Sequence, residues 1–326
     1  MKISTHQVTR HDTIKKAALP GKKVEQEDLL QLGSCEKTSG IYGPDIKTEA
    51  VRKMGEPLHG NSITGDIMIH RDFHSNILNN DRDVLVYLPP GYSKNNGKKY
   101  PVLYIQDGQN IFNRDTSFGG VEWGVDETAE RLIGEGKIKD LIMVAIYNRG
   151  AERMSEYTPV PDPEHGGGNL DNYAGFVTKE LKPFIDSTYS TSTDPSDTGI
   201  MGSSLGGLSA LYMGWNLPHV FGLTGVISPS LWWSDKHIIK EIESDPKTKG
   251  PSRVWLDMGT NESPADNDHN SIPDTLDNSR AMGEVLLNKG YKLGEELFYH
   301  EEHGATHSEW SWNQRVDRVL TYLFGK

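Results

Sequence analysis

The stretch Thr198-Gly-Ile-Met-Gly-Ser-Ser-Leu-Gly-Gly-Leu-Ser-Ala-Leu-Tyr212 contains the pattern Gly-x-Ser-x-Gly in a single register. Only Ser204 has glycine both two positions before it, at Gly202, and two positions after it, at Gly206. This spacing is typical of a nucleophile elbow, where a serine occupies a sharp turn between strand and helix and flanking side chains would collide with neighbouring backbone. The stretch therefore predicts a short strand, then Ser204 as a nucleophile, then a helix over 205–215.

The pattern by itself is weak evidence for catalysis. Glycine makes up 34 of the 326 residues, so a motif this short can arise by chance. The order of the catalytic partners along the chain is a stronger test, because α/β-hydrolases carry the nucleophile, the acid and the histidine in that order. We therefore expect an acid and a histidine on loops that follow later strands.

Short apolar runs alternate with helical patterns from residue 65 to the C-terminus. Alternating apolar and polar residues predict a hairpin of two strands at 66–73 and 83–88. Further buried strands are predicted at 100–106, 141–147, 199–201, 223–227, 254–258 and 297–299, and helices at 125–133, 173–185, 205–215, 279–288 and 309–324. This alternation predicts the α/β-hydrolase fold of the α/β class, with a mostly parallel central sheet of about eight strands and helices on both faces.

The first 64 residues differ in composition from the rest of the chain. They are polar, their only aromatic residue is Tyr42, and their short helical patterns lie near 24–32 and 46–54. Since they hold too few large apolar residues for a core of their own, we interpret residues 1–64 as an N-terminal arm on a catalytic domain at 65–326. Three roles for the arm stay open: a surface extension, a cap on the active site, or a contact in a homo-oligomer.

The composition argues against several classes of partner. A net charge of −12 repels nucleic acid phosphates and anionic lipids, so we expect neither nucleic acid nor a membrane as a partner. Cys35 is the only cysteine, which leaves no internal disulfide and no cysteine-based zinc site. The N-terminus lacks the apolar segment of a secretory signal. The cytoplasm is the default location, although a mature exported protein whose signal had been removed would have the same sequence.

The acid is expected after the strand at 254–258. Glu262 is the preferred residue, since a buried carboxylate on this loop would hold the imidazole in the correct tautomer and stabilise its positive charge. Asp257 lies within the strand itself, and Asp266 and Asp268 on the following loop are the alternatives.

Three histidines, His300, His303 and His307, follow the strand predicted at 297–299. His307 is preferred as the general base because it is the last histidine before the closing helix, and His303 is the alternative. A metal site is rejected because Gly304 interrupts the helix that would place two histidines on one face, and no further ligand pattern is present. No cofactor is expected.

Two earlier loops supply an oxyanion hole and a pocket wall. The backbone N–H groups of Gln109, after the strand at 100–106, and of Leu205 are assigned to the oxyanion hole. Arg149 and Arg153, after the strand at 141–147, are assigned to the pocket wall, where they would receive a carboxylate or orient a sugar. Ion pairs with the neighbouring Glu152 and Glu156 are the alternative for these arginines.

Several segments resemble the putative-esterase family of α/β-hydrolases, which includes enterochelin, feruloyl and acetylxylan esterases and esterase D. The resemblance covers about four-fifths of the chain and rests on segments such as Tyr104-Ile-Gln-Asp-Gly-Gln-Asn-Ile-Phe112, Gly202-Ser-Ser-Leu-Gly-Gly207, Ser228-Pro-Ser-Leu-Trp-Trp233 and His307-Ser-Glu-Trp-Ser-Trp312. It implies Ser204 as the nucleophile, His307 as the base and a carboxylate at Glu262, where relatives often have aspartate. Trp232 and Trp233 resemble the aromatic residues at the family's pocket edge, with core packing as the alternative, and Trp310 is assigned to the same pocket.

Together these observations predict a serine carboxylester hydrolase that works through an acyl-enzyme. The expected partner is a small-molecule or oligosaccharide ester, with acylated carbohydrate, hydroxycinnamoyl or small acyl groups. Two alternatives stay open: a siderophore trilactone esterase, and a non-catalytic or acyl-transferring relative with the same fold.

Overall fold

The computed structural model describes the backbone of residues 48–52 and all of residues 62–326. The predicted N-terminal arm lies almost entirely outside these residues, as does the helical pattern at 24–32. None of the helices in this described part of the chain is long and apolar enough to cross a membrane.

Nine of the described strands form one sheet in the order β1-β2-β3-β5-β4-β8-β9-β10-β11. The pairs from β1 to β5 along this order are antiparallel, and the pairs from β5 to β11 are parallel. The predicted α/β class and mostly parallel sheet are therefore confirmed. The strand bounds, including the small hairpin β6–β7 outside the sheet, are β1 Thr48–Arg52, β2 Asp66–Ser75, β3 Asn80–Leu88, β4 Val102–Ile105, β5 Ile142–Ile146, β6 Pro161–Asp162, β7 Gly166–Gly167, β8 Thr198–Ser204, β9 Leu223–Pro229, β10 Arg253–Gly259 and β11 Leu297–Glu302.

Helices cover both faces of the sheet, as predicted. Side chains of β4 alternate between two hydrophobic cores, with Val102 in one and Leu103 in the other. The first core packs the sheet against the helices that lie between residues 153 and 288, and the second packs it against those at 125–134 and 309–324. The helix bounds are α1 Val125–Gly134, α2 Arg153–Tyr157, α3 Leu170–Phe176, α4 Lys182–Thr188, α5 Leu205–Asn216, α6 Trp233–Ser244, α7 Asp274–Asn288, α8 Glu309–Asn313 and α9 Val316–Phe324, with a π-helical turn at Val177–Leu181 between α3 and α4.

The structure differs from the predicted elements in several places, among them the hairpin β6–β7, which is not predicted, and the π-helical turn inside the helix predicted at 173–185. The helical pattern at 46–54 is wrong, because the backbone of β1 pairs with the edge of the sheet at β2, whose unpaired N–H and C=O groups offer hydrogen bonds. Helices α2 and α6 are absent from the prediction: α2 has only five residues, and beyond its first residue the apolar positions of α6 are confined to Ile238, Ile239 and Ile242. The closing helix predicted at 309–324 is divided into α8 and α9 at Arg315, whose non-helical backbone accompanies a fully buried side chain.

One buried carboxylic acid links α1 to the segment just before β2. Asp126 lies in the first turn of α1, has no exposed surface, and accepts a hydrogen bond from the backbone N–H of Thr64 at 2.7 Å. Burial, together with the neighbouring carboxylate of Glu127, raises the pKa of Asp126 from 3.8 to about 10. A group whose pKa is higher in the folded state contributes stability that is complete below 3.8 and is lost as the pH rises toward 10.

We therefore expect Asp126→Asn to raise the melting temperature at pH 8 and to raise it less at pH 5. An amide keeps the acceptor for Thr64 but never has to be ionised inside the protein. Differential scanning calorimetry at both pH values measures the effect, with the exposed Asp115→Asn as the matched control. An equal or smaller gain at pH 8 than at pH 5 would contradict the assignment of a neutral Asp126.

Candidate active site

Ser204 lies at the turn between strand β8 and helix α5. Its backbone has φ 58° and ψ −126°, a conformation that residues other than glycine rarely adopt. A Cβ atom on Gly202 would lie 2.5 Å from the carbonyl oxygen of Gly206, and a Cβ on Gly206 would lie 3.0 Å from the carboxylate of Asp107. Both glycines of the motif are thus required by the close approach of neighbouring atoms, as the spacing predicts.

The Ser204 hydroxyl lies beside a second serine hydroxyl. Its side chain is buried, and Oγ is 3.5 Å from Oγ of Ser230. The backbone N–H of Ser230 donates to the carbonyl of Ser204 at 3.0 Å, which ties the loop after β9 to the elbow. Within residues 62–326, no hydrogen bond joins Ser204 to His307.

Glu262 and His307 are paired above the carboxyl ends of β10 and β11. Nδ1 of His307 lies 2.9 Å from Oε2 of Glu262. The Glu262 side chain is 1% exposed and that of His307 is 33% exposed, so the pair runs from the interior to the surface. The imidazole packs at right angles to the ring of Trp312, with 5.0 Å between ring centres. The backbone N–H of Asn261 donates to the carbonyl of Ala305 at 3.0 Å, which joins the two loops.

The surroundings of Glu262 favour its ionised form. Burial would raise the pKa of this carboxyl, but the hydrogen bond and charge of His307, the hydroxyl of Ser228 and the charge of Arg315 together hold it below its usual value. An ionised carboxylate at Nδ1 makes that nitrogen the N–H donor and leaves Nε2 as the basic nitrogen.

The alternative acids lie elsewhere. Asp257 is buried within β10 and binds the side chains of Arg315 and Trp255. Asp266 and Asp268 accept hydrogen bonds within their own exposed loop.

Of the histidines considered with His307, His300 binds Glu302 and Arg318, and His303 is exposed. The three histidines therefore do not share a ligand site. Among the described residues, no group of three or more His, Cys, Asp or Glu side chains is arranged to bind a metal ion.

The two backbone amides assigned to the oxyanion hole come from the loop after β4 and the first turn of α5. Leu205 is the first residue of α5, and Gln109 lies in a short 3₁₀ turn at Gly108–Asn110. Among residues 62–326, neither N–H donates to a side chain or to another loop. A Cβ on Gly108 would lie 2.6 Å from the backbone of Ala145, so glycine allows this loop to pack tightly on β5.

Arg153 is held in a buried ion pair. Its Nε and Nη2 bind the two carboxylate oxygens of Asp107 at 2.7 and 2.8 Å, and its side chain is only 12% exposed. The ion-pair alternative thus describes Arg153, but its partner is Asp107 rather than Glu152 or Glu156. Glu156 pairs with Arg82 instead.

Arg149, the second arginine assigned to the pocket wall, lies on the surface. Its side chain is exposed and forms no ion pair with a described residue. Unlike Arg153, it is therefore free to meet a ligand.

The three predicted pocket tryptophans occupy different environments. Trp233 is buried and donates its indole N–H to the carbonyl of Val160 at 2.8 Å, which is core packing. Trp232 is half-buried, and the centre of its ring lies 5.7 Å from the ring centre of Trp233 and 5.8 Å from that of His165. Trp310 is 62% exposed and follows His307 by three residues.

Sequence reasoning missed four residues that lie around the predicted site. Ser228 and Arg315 contact Glu262, Ser230 contacts Ser204, and the mostly buried Glu309 lies close enough to Asp107 and His307 to sense their charges. Three of them had a sequence signal, since the two serines belong to the segment Ser228-Pro-Ser-Leu-Trp-Trp233 and Glu309 belongs to His307-Ser-Glu-Trp-Ser-Trp312. Burial raises the pKa of Glu309 above its usual range.

Comparison with known proteins places this geometry in context. A family model described as "Putative esterase" matches residues 75–323. The chain is 26% identical over 253 residues to the uncharacterized protein YbbA of Bacillus subtilis, which covers 76% of this chain and 94% of that protein.

Two further similarities carry functional descriptions. The endo-1,4-beta-xylanase/feruloyl esterase of Xylanibacter ruminicola is 25% identical over 308 residues, covering 90% of this chain but 35% of that larger protein. The enterobactin esterase FES from Shigella flexneri has a similar structure, with a TM-score of 0.60, 18% identity, and coverage of 86% of this chain and 59% of the other. At that identity the structural likeness shows the shared fold alone.

We expect Gly202→Ala to destabilise the protein by on the order of 2 kcal/mol or more and to abolish most activity, because overpacking displaces the elbow. Urea unfolding and ester hydrolysis measure the two effects. Gly134→Ala, at the end of α1, is the matched control, since its added Cβ meets no atom within 4 Å and should leave both properties nearly unchanged. Normal stability and activity in Gly202→Ala would contradict the steric account.

Proposed function

The chain belongs to the putative esterase family and is a carboxylic ester hydrolase, and from that premise we propose that Ser204, His307 and Glu262 are its nucleophile, general base and orienting acid. The observation that carries this proposal is the 2.9 Å contact between Glu262 and His307. The chain offers an imidazole with an ionised partner on loops beyond β10 and β11, and a serine in a strained elbow beyond β8. Such an arrangement matches the roles that acyl transfer requires.

In the proposed reaction the Ser204 hydroxyl turns from Ser230 toward Nε2 of His307. Oγ attacks the ester carbonyl while Nε2 takes its proton, and the tetrahedral intermediate collapses as the imidazolium gives that proton to the leaving alcohol. Water then attacks the acyl-enzyme with His307 again as base, which releases the carboxylic acid and restores Ser204. Hydrogen bonds of this kind are often long before substrate binds, so the resting contact with Ser230 is compatible with this step.

The oxyanion is proposed to bind the backbone N–H groups of Leu205 and Gln109. Both amides are free of tertiary acceptors among the described residues, and Leu205 opens helix α5, where the helix dipole favours negative charge. The tight packing of Gly108 on β5 would hold the Gln109 amide in a fixed position, as preorganised stabilisation requires.

The preferred substrates are hydroxycinnamoyl esters and acylated carbohydrates. Trp232 is half-buried, and its loop begins at Ser230, beside the nucleophile, so its ring is suited to pack on an aromatic acyl group. The relative from Xylanibacter ruminicola is described as a feruloyl esterase, which supports the same class.

A siderophore trilactone is the second candidate, and the charge distribution disfavours it. An anionic ferric complex would need a positive pocket, but the net charge of the chain is −12 and Arg153 is already neutralised by Asp107. Arg149 alone is left to provide positive charge at this loop. An acyl-transferring relative is distinguished by faster transfer to an added alcohol than to water.

We expect Ser204→Ala to reduce hydrolysis of p-nitrophenyl acetate by at least about 10³-fold, because the attacking oxygen is removed. Steady-state rates and mass spectrometry of a trapped acyl-enzyme measure the loss. Ser203→Ala is the matched control, as this neighbouring serine is equally buried but lacks the glycine flanks and should stay within a few-fold of the wild type. Substantial acyl-enzyme formation in Ser204→Ala would disprove the nucleophile assignment.

We expect Trp232→Ala to raise KM for methyl ferulate by about fivefold while changing KM for p-nitrophenyl acetate little, since an aromatic contact is worth about 1 kcal/mol. A panel of methyl ferulate, acetylated xylan and a catecholate trilactone measures the preference of the wild type. The acetate ester serves as the internal control for folding. Preference for the trilactone, or equal effects of the substitution on both esters, would contradict the substrate class.

A further inference from the structure

Beneath the pair of Glu262 and His307 lies a buried network centred on Arg315. Arg315 has no exposed surface, and its Nη2 binds Oδ1 of Asp257 at 2.9 Å and lies 3.5 Å from Oε1 of Glu262. The same nitrogen donates to the hydroxyl of Ser228. One buried cation therefore faces two buried carboxylates and a hydroxyl directly behind the imidazole.

The hydrogen bonds of Ser228 have only one consistent direction. Its Oγ accepts from Nη2 of Arg315 and from Nε1 of Trp312 at 3.0 Å, and both groups can only donate. Since a hydroxyl has two acceptor positions and one proton, the Ser228 proton must go to Oε1 of Glu262, which lies at 2.5 Å. The backbone N–H of Gly259 donates to the same oxygen at 2.6 Å.

These contacts leave the second carboxylate oxygen of Glu262, Oε2, as the hydrogen-bond acceptor for His307. Oε1 of Glu262 is surrounded by donors, so it must be an acceptor, and Oε2 remains for Nδ1 of His307 at 2.9 Å. An ionised, fixed Glu262 accepts the Nδ1 proton and leaves Nε2 as the base. The tautomer of the imidazole thus follows from contacts on the far side of the glutamate.

The charges in this region also balance at the moment of catalysis. Asp257, Glu262 and Arg315 together carry one net negative charge, which the imidazolium neutralises when His307 takes a proton. Nε and Nη1 of Arg315 have no hydrogen-bond partner among the described residues, so the cation is buried at a cost to stability. Ser228 also has φ 41°, a strained backbone of the kind that clusters at functional sites.

We propose that Ser228 and Arg315 are positioning residues of the reaction, which hold Glu262 ionised and oriented so that His307 presents Nε2 to the nucleophile. This inference rests on the proposed function of Glu262 and His307. It adds two residues that contact no substrate and act only through the glutamate.

A double-mutant cycle tests this inference. We expect Ser228→Ala to lower kcat for p-nitrophenyl acetate by about tenfold with little change in KM, as is typical when an outer contact of a catalytic group is lost. In the Glu262→Gln background the same substitution should cost almost nothing further, because its target is already gone. Equal fold-losses in both backgrounds, or full activity of Ser228→Ala, would overturn the proposal.

A spectroscopic readout separates positioning from general destabilisation. The Nδ1 proton shared by His307 and Glu262 should give a low-field proton NMR resonance in the wild type, which shifts upfield or disappears in Ser228→Ala. Ser209→Ala removes a buried hydroxyl of α5 that donates to the sulfur of Met213; it is the matched control and should keep both the resonance and the rate. An unchanged resonance in Ser228→Ala would overturn the proposal.

Arg315→Met tests the cation, with Arg280→Met as its control, since Arg280 is also paired with a glutamate, Glu301, but at the surface and away from Glu262. We expect a loss of kcat for Arg315→Met only, and Ser228→Ala carries the test if Arg315→Met does not fold. Wild-type activity in Glu262→Gln would instead defeat the assignment of the acid itself. Impaired Glu262→Gln with a fully active Arg315→Met would defeat only the role of the arginine.

Discussion

The close approach of helix α5 to the ends of the central strands constrains everything else in this protein. At the crossing, a single residue, Ser204, turns the chain from strand to helix, and added Cβ atoms at Gly202 or Gly206 would overlap neighbouring atoms. Dense packing at this point leaves no freedom for the backbone to relax. The start of α5, its free amides and the serine hydroxyl are therefore held at one edge of the sheet, and the loops after the neighbouring strands converge on the same edge.

Charge is organised around that edge in two buried ion pairs. Asp107 and Arg153 join the loop after β4 to the start of α2, and Asp257 and Arg315 lie under the loop that carries Glu262. Buried pairs of this kind are poor sources of stability, because desolvation offsets their attraction. Their role here is to fix position, since each ion pair holds one loop whose polar groups face the serine or the histidine.

The architecture could be predicted because most of its strands are short apolar runs. Such a run indicates a buried strand even when the neighbouring strand in the sheet is not known. The exceptions have physical causes. Strand β1 was read as helical since its hydrogen bonds depend on the open edge of β2, which local periodicity does not reveal. The break between α8 and α9 at Arg315 was hidden because an arginine in a helical pattern is normally taken as exposed, whereas this one turns inward to Asp257.

The sequence alone determined the candidate nucleophile, because the glycine spacing around Ser204 has one register and one steric explanation. It also ranked Glu262 and His307 first among several acids and histidines, by their order after strands. Only the tertiary structure decided which groups touch: Arg153 pairs with Asp107, 46 positions away, rather than with adjacent glutamates, and Ser228 meets Arg315 across 87 positions. Such contacts depend on which strands lie side by side in the sheet. The separation of two residues along the chain does not predict whether they will be neighbours there.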